Sequence, residues 1–127
     1  MRIERVETIP YAVPFREPYV TARGRLERRE MVLLRVRTSE GAEGLGEAVP
    51  LSLRGGATLA EVERALSDAA ARLVGLELDT GSEPALDLAI ATFLELARPK
   101  RMPAPAAAAL ECALFDLAAR AEGEPLW

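Results

Sequence analysis

The hydrophobic pattern of this chain changes period once, near residue 58, and the change separates predicted strands from predicted helices. Before it, apolar residues tend to alternate with polar ones. The opening IERVETIPYAV is rich in Ile, Val, Thr and Tyr, with Ile9, Tyr11 and Val13 on alternate positions, as in a strand with one covered face. Pro14 and Pro18 break the run, so residues 14 to 29 are expected to form a long polar connection. A second strand, MVLLRVRT, puts Val32, Leu34 and Val36 on one face and Arg35 and Arg37 on the other. SEGAEG then signals a turn, with glycines at 41 and 44, and LGEAVP resumes an extended run to Pro50. Three such strands predict a small antiparallel meander.

From Thr58 onward the spacing is helical. Thr58 with Glu61 three residues later is a capping box, each side chain satisfying an amide at the helix start. Leu59, Val62, Leu66, Ala69 and Leu73 follow on one face, and Gly75 is the predicted stop. A second helix is expected from about Pro84 to Ala97, with Ser82 as N-cap and Leu86, Ile90, Phe93 and Ala97 as its apolar stripe; Pro99 forbids continuation. A third begins near Pro105 and ends at Gly123-Glu124-Pro125. Strands followed by helices predict an α+β fold.

The third helix is apolar on almost every side. Leu110, Ala113, Leu114 and Leu117 form one stripe, Ala108, Phe115 and Ala118 flank Glu111 on another, and Asp116 pairs with Arg120 at i, i+4. Such a helix expects burial on nearly all sides. Three strands and two short helices would cover about half of it, so a further partner is expected.

Composition narrows the chemistry. The chain has 127 residues, 50% of them hydrophobic and 28% charged, enough for one core. Its net charge of −4 gives no electrostatic case for nucleic acid or an anionic membrane. Arginines stand beside acids, as in Arg28-Arg29-Glu30 and Glu63-Arg64, the pattern of a solvated surface. No run approaches the length of a membrane span, and Met1-Arg2-Ile3-Glu4 lacks a signal peptide's apolar region; a cytoplasmic location is expected. Cys112 lies between apolar neighbours, where a buried, inert thiol is expected. The absence of histidine excludes Ser-His and Cys-His triads and His-based zinc sites within these residues. Lys100 is the only lysine. No catalytic residue and no metal site are expected here; the reaction centre is expected elsewhere.

Three segments stand out as candidates. GAEGLG, residues 41 to 46, has the wrong spacing and context for a dinucleotide loop and predicts a hairpin turn with close backbone packing. PLSLRGGATLAEV, residues 50 to 62, sets two glycines and Arg54 before a capped helix, either a plain loop or a place where free amides meet an anion. Tyr19 to Arg25 mixes Tyr, Thr, Arg and Gly; its Arg23 and Arg25 serve either a carboxylate ligand or Glu27 and Glu30.

The order MRIERVETIPYAVPF, MVLLRVRTSEGAEGLGEAVP, LRGGATLAEVERAL, AAAALECALFDLAARAEGEPLW resembles the N-terminal domain of the enolase superfamily, in its muconate-lactonising and mandelate-racemase branch. The most specific matches are Gly-Leu-Gly-Glu-Ala at 44 to 48, Glu111 with Ala113 to Asp116, and Gly123 with Pro125 to Trp127. The resemblance implies a capping domain at residues 1 to 104, with the helix of residues 105 to 127 leading towards a (β/α) barrel that these residues do not contain. Such a barrel would supply a Lys-x-Lys pair, another lysine and three carboxylates for Mg²⁺, and the shared chemistry would be removal of a proton α to a carboxylate. The chain would then be inactive alone, as part of a muconate cycloisomerase, an o-succinylbenzoate synthase or an N-acylamino-acid racemase. Two loops of the cap would select a small carboxylate substrate: Tyr19, Thr21, Arg23, Gly24 and Arg25 in the first, and Leu51, Ser52, Leu53 and Arg54 in the second. Gly24 occupies the position where relatives that epimerise Ala-Glu dipeptides carry an arginine, which sets this chain apart from them. Self-association through the apolar third helix is expected. The competing expectation is a free-standing module that keeps the fold for binding or oligomerisation without catalysis.

Overall fold

The computed structural model describes residues 1–78, 85–97 and 102–127. Its element order is β1 (Ile3–Thr21), β2 (Gly24–Thr38), β3 (Glu43–Ala48), a single 3₁₀ turn (Ser52–Arg54), α1 (Leu59–Leu73), α2 (Ala85–Ala97) and α3 (Ala104–Ala121). The strands form one antiparallel sheet in the order β1-β2-β3, the α+β meander expected.

The alternation of β2 is what its sequence dictates. Val32, Leu34 and Val36 are fully buried beneath the helices, and Arg35 and Arg37 lie on the opposite face. There Arg35 pairs with Glu7 at 3.0 Å and Arg37 with Glu43. The Tyr11 hydroxyl donates to the Glu47 carboxylate, which holds the phenol above its ordinary pKa.

The connection expected over residues 14 to 29 is instead strand. β1 runs through both prolines to Thr21, and β2 begins at Gly24. β1 lies at the sheet edge, where a residue lacking an amide hydrogen is tolerated. A register shift between Pro14 and Tyr19 absorbs the second proline: Pro14 pairs with Arg28 and Tyr19 with Leu26. The result is a long hairpin whose tip extends beyond the helical layer.

α1 carries the predicted capping box, both halves formed, and buries Val62, Leu66, Ala69 and Leu73. Gly75 follows with φ 89°, and its amide bonds to the Ile3 carbonyl. α2 departs from the expected stripe. Ala85, Ala89 and Leu96 are its buried residues, whereas Leu86 and Ile90 are exposed. A helix this uniformly apolar gives periodicity little power to choose a face, and the small alanines permit close approach to its neighbour. Ser82 and Pro99 lie outside the described residues.

α3 is central to the core. Ala109, Leu110, Ala113, Leu114 and Leu117 are all at most 1% exposed. The stripe of Leu110, Ala113, Leu114 and Leu117 is covered by this chain's own sheet and helices. The side left open carries Ala108 and Cys112. Cys112 is exposed rather than buried, because its turn of helix faces away from the sheet. The closeness of α3 to β3 rests on two glycines. A Cβ at Gly44 would overlap the Ala113 carbonyl, and one at Gly46 the Ala109 carbonyl. Asp116 adds a direct tie by accepting the Leu45 amide at 2.9 Å while pairing with Arg120 at 2.9 Å.

Candidate functional site

The two candidate segments meet. At the hairpin tip, Thr21 ends β1, and its hydroxyl donates to the Gly24 carbonyl at 3.3 Å while accepting the Arg23 amide at 3.2 Å. Gly24 has φ 147°, a backbone conformation that side-chain-bearing residues rarely adopt. Its missing side chain leaves room for the second segment: a Cβ there would come within 2.9 Å of Leu53 Cδ2. Leu53 belongs to the 3₁₀ turn, which the Leu51 carbonyl organises by accepting the Arg54 amide at 2.9 Å and the Gly56 amide at 3.1 Å.

The Gly55 and Gly56 amides bond to the Ser52 and Leu51 carbonyls, and the Thr58 side chain accepts the Glu61 amide. These three amides are spent locally, which gives the loop an organised backbone.

Between the hairpin and the turn lies an open cavity of about 240 Å³, lined by Tyr19, Leu26, Arg29, Pro50, Leu51, Ser52, Leu53 and Arg54. It contains five of the nine residues singled out in the sequence: Tyr19 and Leu51 to Arg54. Gly24 borders it through Leu53. Thr21 shapes the tip turn, and Arg23 is exposed on that turn. Arg25 pairs with Glu27 at 2.7 Å, and Glu30 pairs with Arg28, so the first loop's second arginine is engaged by its own strand.

Sequence reasoning missed Arg29. It was grouped with surface arginines answered by acids, yet it makes no ion pair among the described residues. Its guanidinium carbon sits 5.5 Å from the Phe15 ring centroid instead, a cation–π placement. Phe15 in turn packs near Tyr19, with centroids 6.1 Å apart. Both aromatic contacts cross the register shift of β1, which single-strand periodicity does not foresee.

Among the described residues no three acid, cysteine or histidine side chains converge as metal ligands. The arrangement offers recognition: an open mouth, part apolar, edged by guanidinium groups. It contains no base beside a nucleophile.

Comparison with known proteins gives a consistent result. Residues 3–127 match the model of the mandelate racemase / muconate lactonizing enzyme N-terminal domain. The N-succinylamino acid racemase of Thermus thermophilus is 37% identical over 130 aligned residues, covering 100% of this chain and 32% of the relative. A dipeptide epimerase from Cytophaga hutchinsonii, complexed with Mg and the dipeptide D-Ala-L-Val, superposes with a TM-score of 0.84 at 27% identity, over 99% of this chain and 32% of that one. The substrate-liganded L-Ala-D/L-Glu epimerase of Bacillus subtilis does so with 0.74 at 33% identity, over 99% and 33%. The chain thus spans about a third of the length of these relatives.

Proposed function

Since the chain belongs to the mandelate racemase / muconate lactonizing enzyme family as its N-terminal domain, we propose that it forms the substrate-facing cap of a racemase or epimerase. In this reading residues 1–104 cover the reaction site and the helix of residues 105–127 connects to the remainder. The reaction is removal and return of a proton α to a carboxylate. In this reading the proton-transfer groups and the Mg²⁺ ligands come from outside this chain. The cap contributes selection: the hairpin tip and the 3₁₀ turn close one side of the mouth, and Leu51, Leu53 and Tyr19 give it an apolar wall.

The observation that carries this reading is the contact of Gly24 with Leu53. It joins two segments far apart in sequence into one cavity. The test begins with the gene. An open frame beyond the Trp127 codon, encoding a Lys-x-Lys strand and three spaced acidic strand ends, should yield a product that exchanges the α-proton of N-succinylamino acids or dipeptides into D₂O. In that product, Leu53→Ala should change the ranking of these substrates through KM while kcat for the preferred one is largely kept. A stop codon at that point, or a full-length product that exchanges no α-proton, would remove catalysis and leave a free-standing binding module.

A further inference from the structure

The helices cover one face of the sheet. Val32, Leu34 and Val36 lie beneath them, and the side chains that alternate with these point the other way. An antiparallel sheet with a solvated face is ordinarily polar there, but the centre of this one is apolar. Across β1 and β2, Ile9 pairs with Leu33 and Tyr11 with Met31, and Leu45 and Val13 continue the group diagonally. Ile9, Met31, Leu33 and Leu45 are part-exposed and lie outside the apolar core of the described residues. Tyr11 and Val13 are 36% and 49% exposed. Charges surround the patch: Glu7 with Arg35 and Glu43 with Arg37 at one end, and Glu47 on the β3 side, where it holds the Tyr11 hydroxyl. An apolar centre inside a charged rim is the anatomy of a protein–protein interface.

We infer that this face binds a second copy of the chain in a twofold dimer, so that self-association runs through the sheet and not through α3, whose leucines are buried. The charges of the rim select the occupant. Acids and arginines are intermingled there, which suits neither a strongly acidic nor a strongly basic partner. The face is also complementary to itself. A twofold axis running along the strands between β1 and β2 exchanges the members of each cross-strand pair. Ile9 then meets Leu33 of the second copy, Tyr11 meets Met31, and Glu7 meets Arg35, each contact being made twice. Arg5 falls against Arg37 at the outer end, where both already pair with acids. Sheets stacked in this way keep their strands nearly aligned, about 10 Å apart. The face commits about a dozen side chains, roughly half of what a standard interface uses on each side. The dimer is therefore weak, with a dissociation constant on the order of 10–100 μM. Such a dimer does not depend on the cap reading above.

The test is sedimentation velocity of this chain between about 5 and 500 μM, with far-UV circular dichroism and the urea midpoint showing that each variant is folded. The unaltered chain should pass from monomer to dimer across that range. Leu33→Lys should remain monomeric throughout, its dissociation constant raised at least about a hundredfold, because the twofold buries two unpaired ammonium groups. Met31→Lys makes the same intrusion nearer the hairpin tip and decides the matter should Leu33→Lys fail to fold. Ala108→Arg, on the open side of α3, should change the constant by less than about twofold. A monomer at every concentration would give the face to a different occupant and overturn the inference. A dimer that survives a folded lysine variant, or one that is lost through Ala108→Arg, would overturn it as well.

Discussion

Gly46→Ala is the most direct probe of how this fold is assembled. Gly46 sits on the helix-facing side of β3, opposite Leu34. An added methyl would overlap the Ala109 carbonyl and lie 2.8 Å from its carbon and 2.9 Å from the Ala113 nitrogen. All three are backbone atoms, so no side-chain rotation relieves the clash. Helix α3 would have to retreat by roughly 1 Å, loosening an interior that is packed without slack. Overpacking of this kind costs about 1–3 kcal/mol, and the rigid neighbour argues for the upper end. Against this, alanine is favoured over glycine within a strand by about 0.5–1 kcal/mol. The net loss is therefore about 2 kcal/mol, a large share of the roughly 5–15 kcal/mol that holds a domain together.

The control is Gly41→Ala. Gly41 has φ +88° and nothing within 4 Å of its missing Cβ, so its cost is conformational alone, about 1 kcal/mol. Urea unfolding followed by far-UV circular dichroism gives both values, with unchanged m-values as the condition for comparing them. Gly46→Ala should be the more damaging by about 1 kcal/mol, and its Tm should fall by roughly 6–10 °C. If the two variants are equally stable, or Gly46→Ala is neutral, the close backbone approach of α3 to β3 is wrong.

Other perturbations test other links. Leu114→Ala, inside the core at 1% exposure, should cost about 2–5 kcal/mol in the same unfolding assay. Asp116→Ala strands the Leu45 amide and should cost about 1–3 kcal/mol; a neutral result would mean that water replaces the carboxylate there. Thr58→Ala should cost about 1 kcal/mol through loss of the α1 cap. The Glu61 carboxyl is held below its ordinary pKa of 4.5, chiefly by the Thr58 amide and next by the Thr58 hydroxyl, with burial opposing. Its stabilisation is therefore complete above that ordinary value and lost as pH falls through the lowered folded one, so the stability gap between wild type and Glu61→Gln should narrow in acid. A gap that is flat or widens below pH 4.5 would refute this sign. Finally, exposed Cys112 should react with a mild thiol reagent in the native protein as completely as in urea; protection in the native state would place it inside.

The architecture was legible wherever one physical signal dominated. β2 alternates strictly because one face is buried, and α1 announces itself by a capping box and a regular stripe. The prolines of β1 misled because their meaning depends on whether the strand is central or at an edge, and that is set by pairing, not by the strand's own residues. The stripes of α2 and α3 were ambiguous for a different reason. A helix apolar on nearly all sides permits several buried faces, and the choice falls to the neighbour: alanines of α2 meet α3, and glycines of β3 admit α3. The site was half legible. The two loops were marked by their turn residues and arginines, but their meeting depends on hairpin length and the register shift. Arg29 was hidden inside an Arg-Arg-Glu run whose local pattern suggests ion pairing.

The placement of the site has a consequence for how this chain can diversify. Beyond the pairing of Pro10 with Val32 the hairpin leaves the helical layer: Ala12, Glu30, Val13 and Val20 are exposed. The cavity is thus built from the tip, the 3₁₀ turn and the Phe15–Arg29 contact, none of which draws on the buried stripe of α3. Substitutions at Arg29, Leu53 or Arg54 should alter binding with little change in unfolding free energy. Changes at Gly46 or Leu114 should lower stability with little change in which ligand is preferred. Sites on the exposed ends of a rigid scaffold tolerate replacement in this way. Coupling between the two sets, measured in a double-mutant cycle of Arg54→Met with Gly46→Ala, should be below about 0.5 kcal/mol. A larger value would mean that α3 and β3 position the turn directly, and that recognition and core packing are not separable in this fold.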